Sequence, residues 1–316
     1  MLPPALLHDR LRDRSAAPLI LDGGLATALE QKGFDLADPL WSAKLLIEAP
    51  EAIRQVHHEY LHAGADCITA ASYQASLPGF AARGISSVQG RELIVRAVEL
   101  AVQARDAFWA HAANRVGRVR PLVAASVGPY GAYLADGSEY TGTYAVADHA
   151  LYDFHAERWH LLADSGADLL ACETIPASRE VAVLLSLSRE SPGVPLWMSV
   201  CCGSEQTLWD GSFVSDVGRS CELREDVVAV GVNCVKPHLV QPLLHRLRQV
   251  TAKPLIAYPN AGEDYDAASG CWLPSHAPAH CVGLARAWVA AGARAIGGCC
   301  RVGTEQIHQL RDSLHR

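Results

Sequence analysis

Three times the chain repeats one joint: Ala63-Gly64-Ala65-Asp66, Ser165-Gly166-Ala167-Asp168 and Ala291-Gly292-Ala293-Arg294 each close an amphipathic segment and open an apolar run. Glycine just past a helix end takes the left-handed backbone conformation without steric cost, so the chain turns at once into a strand. A helix leading into a strand, used repeatedly, points to a parallel sheet, because parallel neighbours need a crossover between them. Eight apolar runs enriched in β-branched residues keep this rhythm, at 19–22, 66–72, 122–127, 168–173, 196–200, 227–233, 255–258 and 293–297. Their number and spacing predict an α/β fold, a single-domain (β/α)8 TIM barrel spanning residues 1–316. A doubly wound open sheet would carry similar joints, and the pattern favours the barrel over it.

With 316 residues, 50% hydrophobic and 19% charged, the chain can bury one large core. The net charge of -7, with Lys and Arg scattered, offers no basic stripe for a phosphate backbone, so nucleic acid is not an expected partner. The first segment carries Asp9, Arg10, Arg12, Asp13 and Arg14 where a secretory signal needs an unbroken apolar stretch. No run approaches the roughly 18 apolar residues of a membrane span. The expected location is cytoplasmic, with no membrane partner. In that reducing compartment ten cysteines do not imply a disulfide framework, which leaves burial, metal binding or catalysis. Cys67 and Cys172 sit inside apolar runs and are expected to pack as small hydrophobes.

Cys234, in Gly231-Val232-Asn233-Cys234, and the pair in Gly297-Gly298-Cys299-Cys300 stand just past the sixth and eighth runs. In a barrel those ends open on the same mouth. Three thiols brought together there would make an open zinc site whose fourth position is left for a substrate, itself expected to be a thiol. Neighbouring side chains in a strand point to opposite faces, but a turn at Gly297-Gly298 would remove that objection. Spacing alone leaves zinc and incidental buried thiols both open. Cys201-Cys202, after the fifth run, is the competing thiol pair, whereas Cys221, Cys271 and Cys281 fall in loops or helical stretches. His58 and His62, at i, i+4 spacing beside Arg54 and Glu59, read as a solvated helix face.

Asp22 ends the first run and Glu173 the fourth. Carboxylates at the ends of apolar strands are costly to bury unless they meet a cation or donors, and an amino-acid ammonium would satisfy them. Gly23 and Gly24 would let backbone N–H groups approach a ligand carboxylate. The structural alternative is that Asp22 caps the next helix and Glu173 pairs with a core arginine. The long segments 128–142 and 259–278 follow strand ends and are the candidate lids and donor-site walls. Tyr130, Tyr133, Tyr140 and Trp272 in them could meet a cation with their ring faces.

Taken together, Asp22-Gly23-Gly24-Leu25-Ala26-Thr27, Thr69-Ala70-Ala71-Ser72-Tyr73-Gln74, Gly137-Ser138-Glu139-Tyr140, Glu173-Thr174-Ile175-Pro176, Asn233-Cys234 and Gly298-Cys299-Cys300 resemble the homocysteine S-methyltransferase family. The resemblance runs over nearly the whole chain and is closest to the branch that uses S-methylmethionine or S-adenosylmethionine. It implies a Zn2+ ion held at the reaction centre by Cys234, Cys299 and Cys300, and methyl transfer to the sulfur of homocysteine to form methionine. It also implies that Asp22 and Glu173 bind the amino group, with Gly23 at the carboxylate end. Thr27, Ser72, Gln74 and Asn233 fall in its substrate-binding motifs. The betaine-using branch is less similar, since it carries a long C-terminal oligomerisation arm, whereas this chain ends at Arg316; a monomer is expected. Arg301-Val302-Gly303-Thr304 replaces the Thr-Pro version common after the double cysteine. Other readings are a selenocysteine or other thiol acceptor, a non-enzymatic zinc-binding or redox-sensing protein, and a barrel aldolase using Lys236 or Lys253.

Overall fold

The computed structural model describes residues 4–266, 271–273 and 281–315. Eight parallel strands form one sheet: β1 (Leu19–Ile20), β2 (Cys67–Thr69), β3 (Leu122–Val127), β4 (Leu169–Ile175), β5 (Leu196–Val200), β6 (Val227–Asn233), β7 (Leu255–Tyr258) and β8 (Ala293–Ile296). Their order is β1-β8-β7-β6-β5-β4-β3-β2. The seam between β1 and β2 is closed by a parallel bridge from Leu21 to Cys67 and by two backbone bonds, Asp22 N–H to the Cys67 carbonyl at 3.0 Å and Asp66 N–H to the Ile20 carbonyl at 2.6 Å. The sheet thus closes into the expected barrel. Within the loop after β7, Asp264–Asp266 and Cys271–Leu273 pair as a small antiparallel hairpin.

Ten α-helices concern us: α1 (Pro4–Arg12), α2 (Leu25–Gln31), α3 (Pro50–Ala63), α4 (Ser87–Ala110), α5 (Asp148–Ala163), α6 (Ser178–Leu187), α7 (Val214–Glu222), α8 (Pro237–Arg248), α9 (Cys281–Ala290) and α10 (Thr304–Leu314). Helix α4 opens with a capping box between Ser86 and Gln89, which satisfies two of its orphan N–H groups. Because strand side chains alternate, Leu122 and Ala124 of β3 point to the barrel axis while Val123 and Ala125 meet the helices. Alanines at 124, 171, 229 and 295 leave axial room for Trp197, and the interior is packed. Leu7 and Leu11 of α1 join that same cluster beside Leu19, Leu122 and Leu169, all at strand starts. This first helix therefore stoppers the N-terminal end of the barrel, a role the sequence pattern does not announce. No described helix is long and apolar enough to cross a membrane.

The repeated joints turn as expected, with φ of +113° at Gly64, +85° at Gly166 and +107° at Gly292. The aspartates after them do a second job. Asp66 Oδ2 accepts the Ile20 N–H at 3.1 Å, and Asp168 Oδ2 accepts the Val123 N–H at 2.9 Å, so each staples its strand start to the preceding strand. Asp168 is also paired with Arg105 at 2.8 Å, and Asp66 with Arg311 at 3.0 Å.

Candidate functional site

At the opposite end of the barrel the three thiols meet. Cys234 Sγ and Cys299 Sγ each lie 3.9 Å from Cys300 Sγ, and all three sulfurs fall within 4.8 Å of one another. Zinc–sulfur bonds of about 2.3 Å in a tetrahedron set sulfurs roughly 3.8 Å apart, so the donor set fits such an ion with small adjustment. The surrounding thiols, Cys201 first, hold Cys234 well below the usual thiol range, while Cys299 and Cys300, bonded to it, are raised. Tyr140 Oη stands 3.3 Å from Cys234 Sγ.

Unusual backbone positions the triad. Three of the described non-glycine residues with positive φ stand at this mouth: Thr174 (φ +59°) at the irregularity near the end of β4, Cys234 (φ +53°) just past β6, and Arg301 (φ +66°) just past the thiol pair. Such positions cost about 1–3 kcal/mol each and persist only where neighbours enforce them. Asn233 supplies part of that enforcement: its Oδ1 accepts the Thr174 N–H and the Ser199 hydroxyl, both at 2.8 Å, and its Nδ2 donates to Thr174 Oγ1 at 2.7 Å. Thr27 Oγ1 accepts the Arg301 N–H at 2.8 Å. Gly297 and Gly298 serve close approach rather than positive φ, since a Cβ on Gly298 would stand 2.1 Å from Val302 Cγ1. Gly23 is pressed against the same turn, where a Cβ would lie 2.3 Å from the Val302 carbonyl oxygen.

Two buried carboxyls flank the triad. Asp22 accepts the Thr69 N–H at 2.7 Å and the Thr69 hydroxyl at 3.1 Å, and the next helix has Gly24, not Asp22, at its N-cap. Glu173 accepts the Ser126 hydroxyl and is also held by Tyr258. Burial raises Asp22 to about 8, with the Glu173 charge adding to the shift, and burial raises Glu173 to about 7. Among the described residues no ion pair involves either, so neither the helix cap nor the core arginine of the structural alternative is present.

Ser72 and Gln74 stand one step back: the Ser72 hydroxyl donates to the Ser126 carbonyl at 2.8 Å, and Gln74 Nε2 to the Ala132 carbonyl at 2.7 Å. Cys201, from the competing pair, is buried and donates to the Cys234 carbonyl at 3.2 Å, while Cys67 and Cys172 are buried in apolar clusters. His58 and His62 pack against Phe108. Lys253 precedes β7, at the far end from the triad, and its ammonium donates to the Arg224 carbonyl at 2.7 Å. The side chain of Trp272 and residues 267–270 and 274–280 of the long loop lie outside the described residues. Glu139, within a motif singled out by the sequence but given no role there, has a buried Oε2 without a hydrogen-bond partner, a feature only a folded loop reveals.

Fold and site together define a (β/α)8-barrel enzyme whose mouth carries a metal-capable thiol triad between carboxyls. The model of one family, homocysteine S-methyltransferase, matches residues 19–314. The homocysteine S-methyltransferase of Escherichia coli (strain K12) is 47% identical over 93% of this chain and 94% of its own length. YbgG of Bacillus subtilis (strain 168), of the same designation, is 44% identical over 92% and 93%. The crystal structure of the Escherichia coli homocysteine methyltransferase MmuM in its metallated form superposes with a TM-score of 0.84 at 43% identity, covering 94% of this chain and 96% of that one. The chain belongs to the homocysteine S-methyltransferase family.

Proposed function

We propose that this enzyme transfers a methyl group from a sulfonium donor, S-methylmethionine or S-adenosylmethionine, to the sulfur of L-homocysteine, giving methionine. The observation that carries the reading is the thiol triad set beside two buried carboxyls that no cation neutralises. An ion held by Cys234, Cys299 and Cys300, for which zinc fits best, would keep the acceptor's sulfur deprotonated at neutral pH. Asp22 and Glu173 hold the acceptor's ammonium, and the Thr69 and Ser126 hydroxyls aim them. Asn233 and Thr27 act as positioning residues for the turns that carry the thiols. The donor's methyl carbon is attacked by sulfur and its leaving group departs as a neutral thioether, so no general acid is required. What remains for the protein is alignment of the two sulfurs and the methyl, a contribution of roughly 7–11 kcal/mol when geometry is good.

The test is an assay with homocysteine and each donor, alongside metal analysis and X-ray absorption. Methionine should appear with at least one donor, with about one zinc per chain, and homocysteine should add a fourth sulfur to the metal's shell. A metal-replete protein that methylates homocysteine from neither donor would sink the reading.

The carboxyl pair makes a separate prediction. An aspartate ordinarily near 3.8 but raised to about 8 keeps its proton at pH 7, so its stabilising effect is complete below pH 3.8 and is lost as pH rises through about 8. An arriving ammonium reverses this preference and expels the proton. Binding of methionine, which has no thiol to titrate, should therefore release up to about one proton at pH 7. Calorimetry in buffers of differing ionisation heat reads the release, which should shrink above pH 9 and in Asp22→Asn. Heats independent of buffer would refute the assignment of Asp22.

A further inference from the structure

The loop after β3 reaches the triad through its turn Ser138–Tyr140, which brings Tyr140 to the metal-capable sulfur of Cys234. This loop is firmly anchored. The Tyr130 N–H donates to Glu180 Oε1 at 2.6 Å, and Tyr144 Oη donates to Glu180 Oε2 at 3.0 Å. His155 meets Glu180 at 2.8 Å, and Arg158, fully enclosed, donates to the Gly128 carbonyl at 2.6 Å. Gln74 holds the Ala132 carbonyl from the neighbouring loop. These bonds fix both ends of the segment that presents Glu139.

Two buried atoms here lack a hydrogen-bond partner, Arg158 Nε and Glu139 Oε2, and of the two Glu139 is the acid. Its Oε2 is buried and accepts no hydrogen bond, and among the described residues no ion pair includes it. A buried carboxylate oxygen left without a partner costs about 1–3 kcal/mol or more, so such a group is retained where something else completes it. Burial raises its carboxyl to about 7, and the Cys234 charge adds to the shift, so it stands within electrostatic reach of the reacting centre. Among the described residues no basic side chain forms an ion pair with it. A cation entering from outside, close to the sulfur that Cys234 helps hold, would complete it.

We infer that Glu139 is the docking carboxylate for the positively charged methyl donor, meeting its sulfonium end beside the triad. The inference rests on the proposed methyl transfer and deepens it. It divides the mouth into two acidic subsites: Asp22 and Glu173 for the acceptor's ammonium, and Glu139 for the donor's cation. It gives electrostatic selection in both directions. The charged donor is drawn in, while the thioether left after transfer has lost its positive sulfur and is released from a carboxylate it no longer neutralises.

Glu139→Gln keeps the shape and removes the charge. With S-methylmethionine and S-adenosylmethionine as donors, KM for the donor that turns over should rise about 10-fold or more, since a charge-assisted contact is lost. The homocysteine KM and the zinc content should stay at wild-type values, which also reports that the variant folds. Inhibition by a trimethylsulfonium salt should weaken in parallel, and inhibition by neutral dimethyl sulfide should not change. An unchanged donor KM, or equal increases for both substrates, would overturn the inference while leaving methyl transfer intact. Absence of methyl transfer in the wild-type enzyme would instead remove the underlying reading.

Discussion

Cys300→Ala is expected to leave a folded barrel that no longer retains metal, with kcat/KM for methyl transfer reduced by more than about 100-fold, beyond what loss of an outer-shell partner costs. Cys300 is the sulfur 3.9 Å from each of the other two, so removing it breaks both short edges of the triangle at once. The two remaining thiols come from different strand ends, and nothing else among the described residues offers a third ligand at this place. Cys201 is buried beneath, with its hydrogen committed to the Cys234 carbonyl, and does not substitute. Metal content and far-UV circular dichroism measured on the same sample check the prediction. Full metal retention in Cys300→Ala would show that the triad is not the binding site.

The second large effect lies at the other end of the barrel. Asp168→Ala should cost about 3 kcal/mol of unfolding free energy, because the enclosed Arg105 loses its buried partner and keeps only the half-exposed Asp106 at 2.9 Å. Arg105 and Asp168 are 4% and 2% exposed, so solvent screens this pair little. The Val123 N–H loses its acceptor as well. Urea unfolding reads the loss, and kcat measured well below the melting range should be unchanged, since the pair sits at strand starts and the chemistry at strand ends. A substitution cost under about 1 kcal/mol would mean the pair is screened like a surface ion pair.

These two sites differ in how far the sequence foretells them. The eight strands were legible because buried parallel strands read as continuous apolar runs, and the glycine joints mark where three of them begin. β1 and β2 are nevertheless shorter than their runs: Asp22 keeps a backbone bond to the Cys67 carbonyl while its carboxyl turns to Thr69, and residues after Thr69 leave the strand. Apolarity marks burial, which continues past the last ladder bond. The meeting of Cys234 with Cys299 and Cys300 was legible because both segments stand at strand ends on one mouth. The orientations of Thr27, Ser72, Gln74 and Asn233 were not, since the aim of a side chain beyond a strand depends on the path of the following turn. Glu139 was hidden for the same reason, and α1 because two leucines four apart among charges fit many surfaces.

The leucine stopper contributed by α1 bears on access. The barrel below the thiols is filled by packed side chains and closed by α1, so among the described residues no passage to the triad runs through the barrel from that end. Anything that reaches the three sulfurs therefore arrives and departs on the strand-end side, and a change in α1 acts on stability rather than on access.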